Sequence, residues 1–197
     1  MTKAQVRARL RDAREARSVF DVESAAANLA DWMYRLPMAV EEGSTIACYL
    51  PVGSEPGSDA MLEALDDQGF RIIVPVVPDG EPQPLRWAVF DRGTQLQTRR
   101  WGLAEPATPS LPPESLADAS VVFVPALAVA RDGTRLGRGA GYYDRSLSVS
   151  RAVRVAVVFD DELVDRLPAE STDVPMEWAL TPEAGFTRLD PTGPAAG

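Results

Sequence analysis

The chain has 197 residues, 45% of them hydrophobic and 25% charged, a balance that suits one globular domain with a sizeable core and argues against disorder. It has no histidine and a single cysteine, which excludes Ser–His and Cys–His mechanisms, zinc hydrolase sites, thiolate zinc clusters and an internal disulfide. A formal charge of −9 argues against nonspecific nucleic-acid or anionic-membrane partners, and no apolar run approaches the roughly 20 residues that span a bilayer, so the expectation is a soluble, cytoplasmic protein.

In chain order, residues 2–18 alternate basic side chains with Val6, Leu10 and Ala13 at helical spacing. Residues 22–36 repeat that spacing with Val22, Leu29, Trp32, Met33 and Leu36 before Pro37 stops them. Two N-terminal helices are predicted. Thr45 to Leu50 reads as a short buried strand holding Cys48 as an inert thiol. Asp59 to Asp67 reads as a helix closed by Gly69, and Phe70 to Val77 as a second strand, which makes a βαβ unit with parallel strands.

The more polar segments Arg86–Phe90 and Thr94–Trp101 suggest a small antiparallel excursion, and Pro106 to Pro113 reads as a loop. Val121–Val124 and Val153–Phe159 are again buried strands, with a glycine loop and a short helix from Tyr142 to Val149 between them, a second βαβ unit. A short acidic helix is predicted from Asp160 to Leu167. The last seven residues, 191–197, are rich in Pro, Gly and Ala and are expected to be mobile. An open, mostly parallel α/β sheet with helices on both faces follows, and ligands bind such sheets beyond the carboxyl ends of their strands.

Four segments carry chemistry. In Arg135-Leu-Gly-Arg-Gly-Ala-Gly-Tyr-Tyr-Asp-Arg-Ser-Leu147, Gly137, Gly139 and Gly141 lie between arginines and ahead of Asp144. Glycines let successive N–H groups converge on a phosphate, arginines add planar donors, and an aspartate beyond such a loop can hold the phosphate's Mg²⁺. The glycine spacing is neither that of a Walker A loop nor that of the dinucleotide fingerprint. The loop after the first strand, Leu50-Pro-Val-Gly-Ser-Glu55, puts a carboxylate at the ligand edge. Lys3, the only lysine, lies one helical turn from Arg7 and on the same face. Asp173 precedes Val174-Pro175 after the last strong strand. Taken singly, each also suits a tight turn, a solvated loop glutamate, a charged helix surface or a turn aspartate.

Together these segments resemble one family, the 5-formyltetrahydrofolate cyclo-ligases, also called methenyltetrahydrofolate synthetases. The resemblance spans nearly the whole chain. It is carried by Lys3-Ala-Gln-Val-Arg7, Tyr49-Leu-Pro-Val-Gly-Ser-Glu55, Trp101-Gly-Leu-Ala-Glu-Pro106, Val124-Pro-Ala-Leu and, most specifically, Gly133-Thr-Arg-Leu-Gly-Arg-Gly-Ala-Gly-Tyr-Tyr-Asp144.

The resemblance implies a single Rossmann-like α/β domain over residues 1–190 and an ATP- and Mg²⁺-dependent ligase. Its reaction turns 5-formyltetrahydrofolate and ATP into 5,10-methenyltetrahydrofolate, ADP and phosphate. Lys3, Ala4, Gln5, Val6 and Arg7 then look like ATP contacts, as do Arg135, Leu136, Gly137, Arg138, Gly139, Ala140, Gly141, Tyr142 and Tyr143. Arg7, Leu50, Glu55, Arg138, Gly139, Ala140, Gly141 and Tyr142 look like folate contacts. Asp144 and Asp173 look like the Mg²⁺ carboxylates, and Arg138 and Lys3 like the groups that neutralise charge in phosphoryl transfer. The expected partners are the two substrates, with or without a polyglutamate tail on the folate, and the expected state is a monomer. A binding protein that has lost turnover is the alternative. A sugar-phosphate isomerase or coenzyme A transferase on a similar fold is another. The chain departs from many members at Val129 and Ala130, where they carry Phe and Asp, and at Thr172, where they carry His.

Overall fold

A computed structural model describes residues 2–99, 102–170 and 172–191. Helices α1 (Lys3–Glu15) and α2 (Val19–Met33) precede strand β1 (Thr45–Ala47), helix α3 (Ala60–Asp66) and strand β2 (Arg71–Val76). Strands β3 (Arg86–Phe90), β4 (Leu96–Thr98), β5 (Ala104–Pro106), β6 (Ala119–Pro125), β7 (Ala128–Ala130) and β8 (Arg135–Leu136) lead to helix α4 (Tyr142–Leu147). Strands β9 (Val153–Val157), β10 (Leu163–Val164), β11 (Trp178–Thr181) and β12 (Gly185–Arg188) complete the order.

The main sheet has seven strands in the order β12-β11-β9-β6-β1-β2-β3. The five central strands pair in parallel, as both predicted βαβ units require. Antiparallel β3 and β12 close the two edges. Alternation along the strands feeds two cores. Ile46, Ile72, Val121 and Val155 pack with Leu29 and Met33 of α2 and Leu62 and Leu65 of α3. On the other face Ala47, Ile73, Val122 and Ala156 pack with Leu116 of a 3-10 turn and Leu147 of α4. Both faces of the central strands are therefore buried, which is why those strands read as near-continuous Val/Ile runs.

Several boundaries differ from the sequence reading. The first strand ends at Ala47 rather than Leu50, although Cys48 N–H still donates to Ile73 O at 3.0 Å. The excursion divides: β3 joins β2 in the main sheet, while β4 and β5 form a separate antiparallel pair. Trp101 and the tail segment 192–197 lie outside the described residues.

The predicted acidic helix over 160–167 is a 3-10 turn, Asp160–Glu162, followed by β10. Its acidic residues resemble a helix first turn, yet tertiary partners take them up. Asp160 accepts from the N–H groups of Glu183 and Ala184, and Glu162 from that of Phe159. Leu163 and Val164 instead pair in parallel with Val129 and Ala130, making a small β10-β7-β8 sheet. The fully buried Val129 and Ala130 therefore serve as strand core. Among the described residues no helix is long and apolar enough to cross a membrane.

Candidate active site

A cavity of about 960 Å³ opens where α1, the loop after β1, the end of β2, the segment after β6, the glycine loop and residues Glu170, Thr172 and Asp173 meet. All the site residues predicted from sequence line it except Ala4, Gln5, Val6 and Leu136. Gln5 has a local role instead. Its backbone N–H donates to Thr2 Oγ1 at 3.3 Å and its side-chain oxygen accepts from Thr2 N at 2.9 Å, a reciprocal cap that starts α1 just ahead of Lys3. Leu136 is buried in β8.

Three cation–carboxylate pairs organise the cavity. Lys3 Nζ lies 2.9 Å from Asp173 Oδ2 and 3.3 Å from Glu170 Oε1, and the N–H of Glu170 donates to the same Asp173 oxygen at 2.8 Å. Arg135 Nη2 donates to Asp144 Oδ1 at 2.9 Å. Arg138 Nη2 lies 3.1 Å from Glu55 Oε1 and donates to Val52 O at 3.1 Å. The N–H of Val52 donates to the other Glu55 oxygen at 3.0 Å.

Burial pushes the Glu55 carboxyl above its ordinary range, against the opposing pull of the Arg138 guanidinium and the Val52 N–H. Burial likewise raises the Tyr143 hydroxyl, with the nearby Glu55 charge acting in the same direction and Arg135 against it.

The two arginines of the glycine loop differ in setting. The Arg135 side chain is only 5% exposed, and its guanidinium carbon lies 5.7 Å from the centre of the Tyr143 ring. A Cβ on Gly137 would come within 2.7 Å of Arg135 Nη1, so a glycine there lets the arginine fold beneath the loop. The Arg138 side chain is 51% exposed at the rim. Further along, Gly139 and Gly141 take φ of +111° and +69°, backbone that a residue with a Cβ adopts only under strain. The carbonyls of Gly137 and Ala140 accept from Arg7 Nε and Arg145 Nη1, both at 2.9 Å.

The donor set suits Mg²⁺, which keeps several waters and needs only one or two protein carboxylates beside substrate phosphates. Asp144 and Asp173 each commit one oxygen to a cation, and both line the cavity. Among the described residues no cluster of three or more metal-ligating side chains occurs, so a cage built wholly from protein groups is not the arrangement on offer.

Sequence reasoning missed several residues that line the cavity. Glu170 pairs with Lys3 beside Asp173, and Arg11 and Arg14 continue the Lys3–Arg7 helix, while Thr172, noted in the sequence only as a departure from the family, lines the cavity too. Glu105, only 4% exposed, accepts from Val77 N at 2.9 Å and ties β5 to the chain leaving β2. Helical spacing from Lys3 and Arg7 was the available signal for Arg14. Glu105 lay in a quoted family segment without a role.

The sequence profile described as the 5-formyltetrahydrofolate cyclo-ligase family matches residues 1–182. A 5-formyltetrahydrofolate cyclo-ligase of Mycolicibacterium smegmatis is 46% identical over 172 residues, covering 85% of this chain and 87% of the relative. The enzyme of that name from Escherichia coli is 28% identical over 141 residues, 70% of this chain and 78% of its own. The NMR structure of Aquifex aeolicus 5,10-methenyltetrahydrofolate synthetase shares the fold, with a TM-score of 0.79 at 24% identity over 100% of this chain and 97% of the other.

Proposed function

The chain belongs to the 5-formyltetrahydrofolate cyclo-ligase family, and from that premise we propose that its cavity holds ATP and 5-formyltetrahydrofolate together and joins their chemistry. The observation that carries this assignment to residues is the pairing just described. Each carboxylate assigned to metal or folate is held by a cation assigned to ATP, all around one cavity. At about 960 Å³ that cavity is at the upper end of small-molecule sites, which suits two substrates side by side.

The formyl oxygen of an N-formyl group leaves poorly, and phosphorylation makes it a good leaving group. The oxygen attacks the γ-phosphorus as the bond to the ADP oxygen breaks. N10 then attacks the formyl carbon and gives up its proton to solvent. Phosphate departs with the former formyl oxygen, leaving the methenyl bridge. No protein nucleophile is needed, so a chain without histidine can do this by alignment and charge neutralisation.

Lys3 and Arg138 exchange their carboxylate partners for phosphate oxygens. Arg135 stays beneath the loop and orients Asp144. Glu55 accepts from the amino edge of the pterin, an acceptor-only group against a donor array, with Leu50 and Tyr142 as apolar walls. Mg²⁺, held by Asp144 and Asp173 with the phosphates, would supply further neutralisation of their charge.

The same reading has the enzyme acting as a cytoplasmic monomer without nucleic acid or membrane. The net charge of −9 and the lack of an apolar spanning run support the last two points. A tail of glutamates on the folate has Arg11 at the cavity wall as an available cation.

The test is the absorbance of methenyltetrahydrofolate formed from 5-formyltetrahydrofolate with and without Mg-ATP. ATP-dependent product with matching ADP release is expected, and ligand binding without product would identify a protein that has lost turnover. Asp144→Asn is expected to raise the Mg²⁺ concentration for half-maximal rate by about tenfold or more and to lower the rate. A variant that titrates Mg²⁺ like the parent would remove the metal assignment.

A further inference from the structure

Helix α1 brings Lys3 and Arg7 to the cavity, yet it has little with which to hold itself in place. Arg14 is its only fully buried residue; Val6 and Leu10 are half-buried and the rest of its length is polar or small. Helix α2, by contrast, docks through buried Leu29 and Met33. A helix without a wide apolar stripe needs another anchor.

Arg14 supplies one. Its Nε donates to Glu162 Oε1 at 2.7 Å and its Nη2 to Glu162 Oε2 at 2.7 Å, a bidentate fork with both side chains no more than 2% exposed. The same Nη2 donates to the carbonyl of Ala126, which lines the cavity just after β6. Its guanidinium carbon also sits 5.5 Å from the centre of the Phe159 ring. One side chain thus joins α1, the Asp160–Glu162 turn and a wall of the cavity. Arg14 lies seven residues from Arg7 and eleven from Lys3, about two and three turns, so anchor and ligand groups share one stripe of the helix.

The other end of α1 is held differently. There the contacts are Lys3 on Asp173 and Glu170, and Arg7 on the carbonyl of Gly137. These are the side chains that phosphate oxygens would recruit, so their present bonds are the ones given up when ATP enters. The Arg14 fork is not exchanged.

We propose that Arg14, through Glu162 and the Ala126 carbonyl, is the positioning residue that fixes α1, and with it Lys3 and Arg7, against the ATP end of the cavity. The inference rests on the assignment of Lys3 to ATP alone and of Arg7 to both substrates, which makes ATP the substrate whose contacts move most. Position can be separated from stability because a buried ion pair is often no more stabilising than apolar side chains of similar size, whereas breaking one half leaves a buried charge.

The experiment compares thermal stability and both KM values for the parent, Arg14→Met/Glu162→Met, Arg14→Lys and Lys3→Ala. The double variant is expected to stay folded while its KM for ATP rises about tenfold more than its KM for 5-formyltetrahydrofolate, the mark of misplaced ATP contacts. A folded double variant with the parent's KM for ATP overturns the proposal. Equal rises in both KM values, with lowered melting temperature, overturn it too, because they indicate general loosening. If the double variant does not fold, Arg14→Lys decides by the same ratio: it keeps a cation beside Glu162 but cannot form the fork, and an unchanged ratio overturns the proposal. Lys3→Ala is the control on the premise. Its KM for ATP is expected to rise whatever Arg14 does, and an unchanged value overturns the ATP assignment and this inference with it.

Discussion

Arg138→Ala is expected to lower kcat by about 10²- to 10³-fold, the scale for losing one preorganised charge-stabilising donor, in a protein that still folds. The second half of that expectation comes from the side chain's setting. Arg138 is half exposed at the cavity rim, and its contacts are Glu55 and the Val52 carbonyl rather than the core. The arginine end of the pair is open to solvent, and the buried Glu55 carboxyl, only 10% exposed, can take up a proton rather than remain as an unpaired charge. The first half rests on the proposed function, which puts the meeting of phosphate and formyl oxygen beside the pair that Arg138 of the glycine loop makes with Glu55.

The variant should also show a displaced pH profile. Arg138 is the largest of the influences that lower the Glu55 pKa against burial. Removing it pushes that carboxyl further up, so the acid limb of kcat/KM moves to higher pH. Arg138→Lys keeps a charge and loses the planar fork, and partial recovery is expected. The measurements are initial rates of methenyl formation, their pH dependence and a circular-dichroism melt. Near-parent kcat in folded Arg138→Ala would remove its assigned role.

The parallel core was legible because its strands are buried on both faces, so Ile46, Ile72–Val74, Val121–Val124 and Val155–Val157 appear as unbroken apolar runs between turn residues. The glycine loop was legible because only backbone geometry and anion binding ask for three glycines between arginines. The β10-β7-β8 sheet was not. Its strands are two or three residues long, too short for any period to register, and Leu163-Val164 forms a strand only because Val129-Ala130 lies beside it. The same limit hid the charge pairs. Lys3 meets an aspartate 170 positions away and Arg14 a glutamate 148 away, and neither separation leaves a local mark. Sequence spacing identified Lys3, Asp144, Arg138 and Glu55 as separate candidates. Folding adds that each is partnered, Lys3 by Asp173, Asp144 by Arg135, and Arg138 by Glu55.

Glu55→Gln is expected to raise stability at neutral pH while impairing catalysis, and the two effects have one cause. Burial raises the Glu55 pKa despite Arg138 and the Val52 N–H. The folded protein therefore keeps this proton to a higher pH than the unfolded chain does. Stability from the group is complete below the ordinary carboxylate range and is lost as pH rises through the raised value. Glutamine has no charge to desolvate, so the stability difference should grow in the variant's favour from about pH 4 toward neutrality, as read from urea unfolding. Catalysis moves the other way. A pterin amino edge offers donors to an ionised acceptor, and an amide returns one acceptor and one unmatched donor. The KM for 5-formyltetrahydrofolate should rise roughly 10- to 100-fold, the range for losing a hydrogen bond to a charged group, with a much smaller change for ATP. The acid limb of kcat/KM expected of the parent as Glu55 protonates should also vanish from the variant. A variant with the parent's folate KM and acid limb would move pterin recognition to another residue, whatever its stability, because the carboxylate would then be spending its burial on structure alone.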